Sequence, residues 1–282
     1  VMMTRRNEKK LVEEVSSLNQ GCCLSLQCFE AEEAKQFMFH RTGLTPDEGT
    51  NSTSESLVNE LGGLPLALEQ AGAYIKALNC TLSDYHKQFQ TERLKLLKKW
   101  DAKPASFCES RERRALHTTW SLNIKHIEKS PHGTSAIRLM NAYAFLNPNE
   151  IEKELVNVGE RPIEDKTFRD CVSSPLGAHQ VVKLLTDFSL FTYVHAHSVC
   201  THRLVQELIR ENLESEEKAE SFVDAARLLS FAFSKCISPS HLLGDFGIKE
   251  RLKAYDLLKH HSQCHLWSKL CFHGFYLRNN ME

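Results

Sequence analysis

The sequence predicts a mainly α-helical protein with a small α/β remnant at its start, and three observations carry that prediction. Apolar residues recur three and four positions apart in successive blocks from Ser54 onward, the period of helices with one buried face. Runs of strand character are confined to the first residues and to one hairpin-like stretch around His195. Twelve glycines and eight prolines in 282 residues leave long segments unbroken.

Taken in order, Val1-Met2-Met3-Thr4 reads as the end of a buried strand, stopped by Arg5-Arg6-Asn7, and Cys22 to Leu26 as a second strand. Phe29 to Phe37 opens a helix whose acidic first turn suits the helix dipole. Leu57, Val58 and Leu61 form one apolar helix face, broken at Gly62-Gly63. Pro65 fits the first turn of the next helix, and Leu64, Leu68, Ala71, Ile75 and Leu78 make its one-sided stripe. Thr81-Leu82-Ser83-Asp84 resembles a capping box for a helix carrying Tyr85 and Phe89, and Lys103 to Arg114 reads as a linker. Leu116, Trp120 and Ile124 stand four apart on one helix face, and Ile137, Met140 and Ala144 form another stripe, ended by Asn147-Pro148. Val181, Leu185 and Phe188 mark a third helix. A hairpin over Leu190–Val194 and Val199–Thr201 follows, then a helix with Leu204, Leu208 and Ile209. Three helices, a two-stranded wing and a closing helix describe a winged-helix module over residues 115–215. Residues 216–282 are again helical, with Phe222, Ala226, Leu229 and Phe233 expected on one face.

Composition narrows the function classes. The chain is 41% hydrophobic and 25% charged, with 35 Lys and Arg against 36 Asp and Glu, so no global field draws it to nucleic acid or acidic lipid. No window approaches the ~18 uninterrupted apolar residues of a membrane span. The ten cysteines sit singly in apolar segments, with no CxxC pair and no signal-peptide pattern at Val1–Arg6, which predicts a reducing, cytoplasmic setting. No glycine is followed by lysine, so the Gly-Lys-Ser/Thr of a phosphate-cradling P-loop is missing, and no Asp-Asp pair ends an apolar strand. Neither GxGxxG, HExxH nor GxSxG occurs. The chain shows no catalytic signature, and no catalytic or metal-ligating residue is assigned. The cluster His260, His261, Cys264, His265, Cys271 and His273 has no zinc-knuckle spacing and reads as core and surface positions.

Four motifs in order carry a resemblance. Gly62-Gly63-Leu64-Pro65-Leu66-Ala67-Leu68 resembles the GLPLAL motif of NB-ARC domains, the nucleotide-binding domains of STAND signalling ATPases. Met2 to Asn7 is similar to that family's strand-end sensor, with Arg5 in place of the usual small residue, and Leu26 to Ala34 to the run that follows it. Asn141 to Pro148 and Thr201-His202-Arg203-Leu204-Val205-Gln206 resemble the beginning and end of the winged helix in TPR-bearing members.

The resemblance implies an ADP/ATP-gated switch for signal transduction and self-association, with magnesium bound in the full-length protein. Residues 1–50 would be the C-terminal remnant of the α/β domain, 51–114 the helical domain with its linker, 115–215 the winged helix, and 216–282 a helical segment leading toward a TPR array. It implies Arg6, Gly63, Leu64, Pro65 and His202 as nucleotide-binding residues. Arg6 would sense the γ-phosphate, Pro65 would wall the adenine, and His202 would meet the β-phosphate of ADP. Arg203 stands where the family's Met-His-Asp motif has aspartate, as in the HRLVQ run familiar among TPR-bearing members, so the resemblance does not carry over an aspartate-mediated lock. The P-loop and the magnesium acid are expected upstream of Val1, so nucleotide affinity in this chain should be weak or absent. The resemblance further implies protein partners and roles in innate immunity or apoptosis. A non-enzymatic helical adaptor is the alternative. Nucleic-acid binding ranks third, because Glu207, Glu211 and Glu214 on the closing helix would repel phosphates.

Overall fold

The computed structural model describes residues 27–101, 110–149, 151–152, 165–195 and 198–237. The strand expectations at Val1–Asn7 and Cys22–Leu26, the sensor Arg6 and the histidine-cysteine cluster beyond residue 259 lie outside these. Within them, ten helices surround a small antiparallel sheet.

Helix α1 (Ala31–Thr42) begins at Glu30, whose backbone N–H donates to the Glu33 carboxylate at 3.0 Å in a capping box, and ends at left-handed Gly43. Helix α2 (Glu48–Leu61) buries Leu57, Val58 and Leu61 as the spacing predicts, and stops at Gly62 with φ 68°. Helix α3 (Pro65–Leu78) departs from expectation. In place of a one-sided stripe, Ala67, Leu68 and every residue from Gln70 to Ile75 are buried. The reason is position: helices on several sides pack around it. Small residues at Ala67, Ala71, Gly72 and Ala73 let those neighbours approach.

Helix α4 (Leu82–Asp101) starts at Thr81, whose hydroxyl accepts from the Asp84 N–H at 3.1 Å and donates to the Asp84 carboxylate at 2.7 Å. The shorter aspartate thus meets the hydroxyl, where a glutamate would reach the backbone. Helix α5 (Arg111–Glu128) corrects the expected linker: Ser110 caps it and Arg111–Arg114 form its first turn. Polar, charged residues at that turn hid a helix start behind a loop-like composition.

The remaining elements are α6 (Gly133–Tyr143), β1 (Ile151–Glu152), α7 (Lys166–Ser173), α8 (Pro175–Asp187), β2 (Phe191–His195), β3 (Ser198–Thr201), α9 (Arg203–Asn212) and α10 (Ser215–Ile237). The expected hairpin is present, Phe191 opposite Thr201 and Tyr193 opposite Val199, with an irregularity before His195. A third strand, unforeseen, pairs Ile151 with Val199, giving the order β1-β3-β2. Tyr143 stacks on Phe191 at 5.5 Å, seating the sheet on α6.

Helix α10 also departs from expectation. Its buried residues include Ser221, Asp224, Ala225 and Leu228, while Phe222 is half-buried against Phe145. Arg138 on α6 turns the helix this way: its Nε donates to Asp224 at 2.7 Å, drawing the carboxylate inward. The early helices and the later ones share one apolar cluster. Polar bonds join them too: Arg41 on α1 donates to Glu69 on α3 at 2.7 Å and to Ser189, before β2, at 3.1 Å. Among the described residues no helix is long and apolar enough to cross a membrane.

Candidate nucleotide site

The turn between α2 and α3 is fixed by backbone geometry. Gly62 and Gly63 both take positive φ, 68° and 63°, a conformation open to glycine at low cost. At Gly63 the requirement is absolute, since a Cβ there would lie 2.1 Å from the Phe29 carbonyl oxygen. The Phe29 N–H donates in turn to the Gly63 carbonyl at 2.9 Å. The double glycine thus locks the segment before α1 onto the head of α3. Leu64 is half-buried, and Pro65 sits exposed at the first position of α3, where its missing N–H costs nothing.

His202 is the N-cap of α9. Its Nδ1 accepts from the Leu204 N–H at 3.1 Å, replacing the usual serine or aspartate oxygen. That bond fixes the neutral tautomer: the proton must be on Nε2, which becomes the donor. The ring is exposed, at the end of a helix where the backbone dipole favours anions.

The first turn of α5 lies between the glycine turn and the C-terminal half of α9, the end away from His202. Glu112 stands against Gly62, with its Cγ 3.5 Å from the position of a Cβ there, and Arg111 donates to the Asn59 carbonyl at 2.5 Å. The next residue, Arg113, donates to Glu211 on α9 at 2.5 Å and lies 4.0 Å from Glu207. The glycine turn and α9 therefore flank one short stretch of helix. Glu207 and Glu211, expected from the sequence to repel phosphates, are partnered by Arg113.

Gln206, whose role the sequence did not reveal, is buried and donates to the carbonyls of Tyr143 and Leu146, both at 2.9 Å. Arg210 adds a bond to the Ala144 carbonyl. Together they bond to carbonyls at and just beyond the end of α6 and hold α9, with His202 at its head, against that helix. The signal lay in the Thr201–Gln206 motif itself, whose glutamine is one turn beyond the histidine.

One Cys–His pair occurs away from this region: Cys171 Sγ is 3.5 Å from His132 Nδ1. Burial pushes the Cys171 thiol up, overriding the lowering hydrogen bond of Ser135, which favours the protonated thiol over the thiolate.

Residues 128–218 match the model of a domain of unknown function (DUF7779), a span from the end of α5 into the first turn of α10. It contains the sheet and His202 but not the Gly62–Pro65 turn. No curated protein matches the chain.

Proposed function

We propose that this chain is the C-terminal part of a nucleotide-gated switch of NB-ARC type, in which Pro65 walls the adenine and His202 meets the diphosphate. The observation that supports it is that the first turn of α5 packs against the Gly62 turn and against α9, the helix that His202 heads, although its contact there is at Glu211 near the other end. Both places offer suited chemistry: a rigid exposed apolar ring at Pro65 and an Nε2–H donor at a helix N-terminus. The α5–α9 segment with its sheet is read here as a winged helix, β2 and β3 being the wing. ADP bridging the two sides would favour a closed arrangement, and exchange for ATP would release α9 and expose a surface for self-association. Arg6, Gly63 and Leu64 complete the nucleotide-binding set in this reading, and magnesium belongs to the longer parent protein.

Saturation-transfer NMR with ADP tests this on the 282-residue chain. The adenine protons should receive saturation from the native protein and lose it in Pro65→Ala. Equal transfer in both proteins would remove the reading, and none in either would leave the affinity with the P-loop expected upstream.

A non-enzymatic adaptor is the second reading, favoured by one observation: Pro65 as first helical residue and His202 as N-cap each have a complete local explanation.

A further inference from the structure

Helices α4 and α5 leave a cleft of about 360 Å³ between them, within the size of ordinary small-ligand sites. On α4, Lys87, Thr91 and Lys95 follow one another four apart, a single line along the helix. On α5, Lys125 and Lys129 form a second line. His126 lies beside them with Leu122, and Tyr74 of α3 belongs to the lining.

Four lysines thus border one small space, and the lining holds one carboxylate, Glu92. That carboxylate is buried, 4% exposed, and accepts from Ser121 at 2.7 Å and Lys125 at 2.5 Å. Its hydrogen bonds go to α5 and its charge also offsets Lys95, yet it is one carboxylate against four lysines. The whole protein is balanced at net charge −1, so the cleft is a local concentration rather than a reflection of composition. The negative end of α5 accounts for cations in its last turn but not for Lys87 and Lys95 along α4. Lys125 and Lys129 stand four apart, a spacing at which like charges repel. A compact anion would convert that repulsion into attraction.

We propose that the α4–α5 cleft binds a small soluble polyphosphate, its phosphates held by Lys87, Lys95, Lys125 and Lys129. The rows of ammonium groups suit several phosphate oxygens at once and impose no bidentate geometry, as arginine would. The nucleic-acid backbone is a poorer fit, since the aromatic ring in the lining, Tyr74, is 5% exposed and offers no face for a base to stack on. The cleft is separate from the candidate nucleotide site: Glu112 and Lys125 are thirteen residues apart on α5, about 20 Å along its axis.

The test is isothermal titration of the 282-residue chain with tripolyphosphate in about 0.1 M salt, where surface charges are screened beyond ~10 Å. Saturable binding is expected, weakened at least about tenfold in Lys87→Glu/Lys129→Glu and a few-fold in the neutral variant Lys95→Gln. His202→Ala should leave it unchanged. The thermal midpoints of all variants without ligand serve as the folding control, since each replaced lysine is exposed. No saturable heat, an unaltered affinity in both lysine variants, or an equal loss in His202→Ala would overturn the proposal. So would binding to phosphatidylinositol-bisphosphate vesicles with none to tripolyphosphate, which would assign the lysines to a membrane surface.

Discussion

Phe29 and Gly63 clasp each other through their backbones: the Phe29 N–H donates to the Gly63 carbonyl at 2.9 Å, and the Phe29 carbonyl occupies the space of the missing Cβ. Gly63→Ala must therefore either push this backbone away or abandon φ 63°. A cost of about 2–4 kcal/mol is expected, combining left-handed strain with overpacking against a rigid partner. Gly62→Ala meets Glu112 at ordinary contact distance, 3.5 Å to its Cγ and 4.0 Å to its Cα, and should cost about 1 kcal/mol for its positive φ alone. Urea denaturation of both variants checks the ordering, and equal midpoints would show that the clasp contributes nothing.

His202 performs two separable jobs in the proposed switch, and one substitution divides them. His202→Ala removes the N-cap acceptor and should cost about 1 kcal/mol. In a parent chain extended upstream to a P-loop it should also weaken ADP retention and raise self-association. His202→Asn keeps an acceptor for the Leu204 N–H while removing the imidazole donor. Stability should return and ADP retention should not. Calorimetry together with nucleotide occupancy of the purified protein reads both, and recovery of the two together would make the histidine a cap alone.

Much of this architecture was legible because its signals are local. The glycine pair, Pro65, the hairpin and His202 at a helix start follow from residues within a few positions of one another. What stayed hidden depends on partners far along the chain. Asp224 is buried because Arg138, 86 residues earlier, waits for it, so the apolar period of α10 pointed to a neighbouring face. β1 is two residues long, too short to show alternation, and exists because Val199 has a free edge to pair with. The basic cleft was invisible for the same reason: Lys87 and Lys129 become neighbours only when α4 lies beside α5.

The Arg138–Asp224 pair makes a sharp prediction for α10. Asp224 is 2% exposed, and Arg138 also reaches the N-cap Asp165 at 3.2 Å and lies over the Phe168 ring at 5.5 Å. Arg138→Ala leaves a buried carboxylate facing only Arg227, at 3.8 Å. Removing one partner of such a pair costs about 3–5 kcal/mol, because the remaining charge is stranded. Arg138→Met/Asp224→Leu should recover most of that. Hydrogen exchange localises the effect: amides of α10 should lose protection first in the single variant. A double variant no better than the single would deny that the charge is the cause.

Glu92 sets a pH dependence whose sign is fixed by its surroundings. Burial pushes its carboxyl up, but hydrogen bonds from Lys125 and Ser121 and the nearby ammonium charges prevail and hold it below the ordinary value. Glu60 follows the same pattern, with burial outweighed by Gln90, His86 and Arg93. A carboxyl that ionises more readily when folded leaves the unfolded chain binding more protons in that range. Stability is then complete above the unfolded value, about 4.3, and falls as pH drops through the lowered folded value. Glu92→Gln should lose about 1–2 kcal/mol at neutral pH, since Lys125 is half exposed and regains water. It should also flatten the acid limb of the stability curve between about pH 5 and 3. Thermal midpoints across that range measure both effects. An acid limb as steep in the variant as in the native protein would place the proton uptake on other carboxylates.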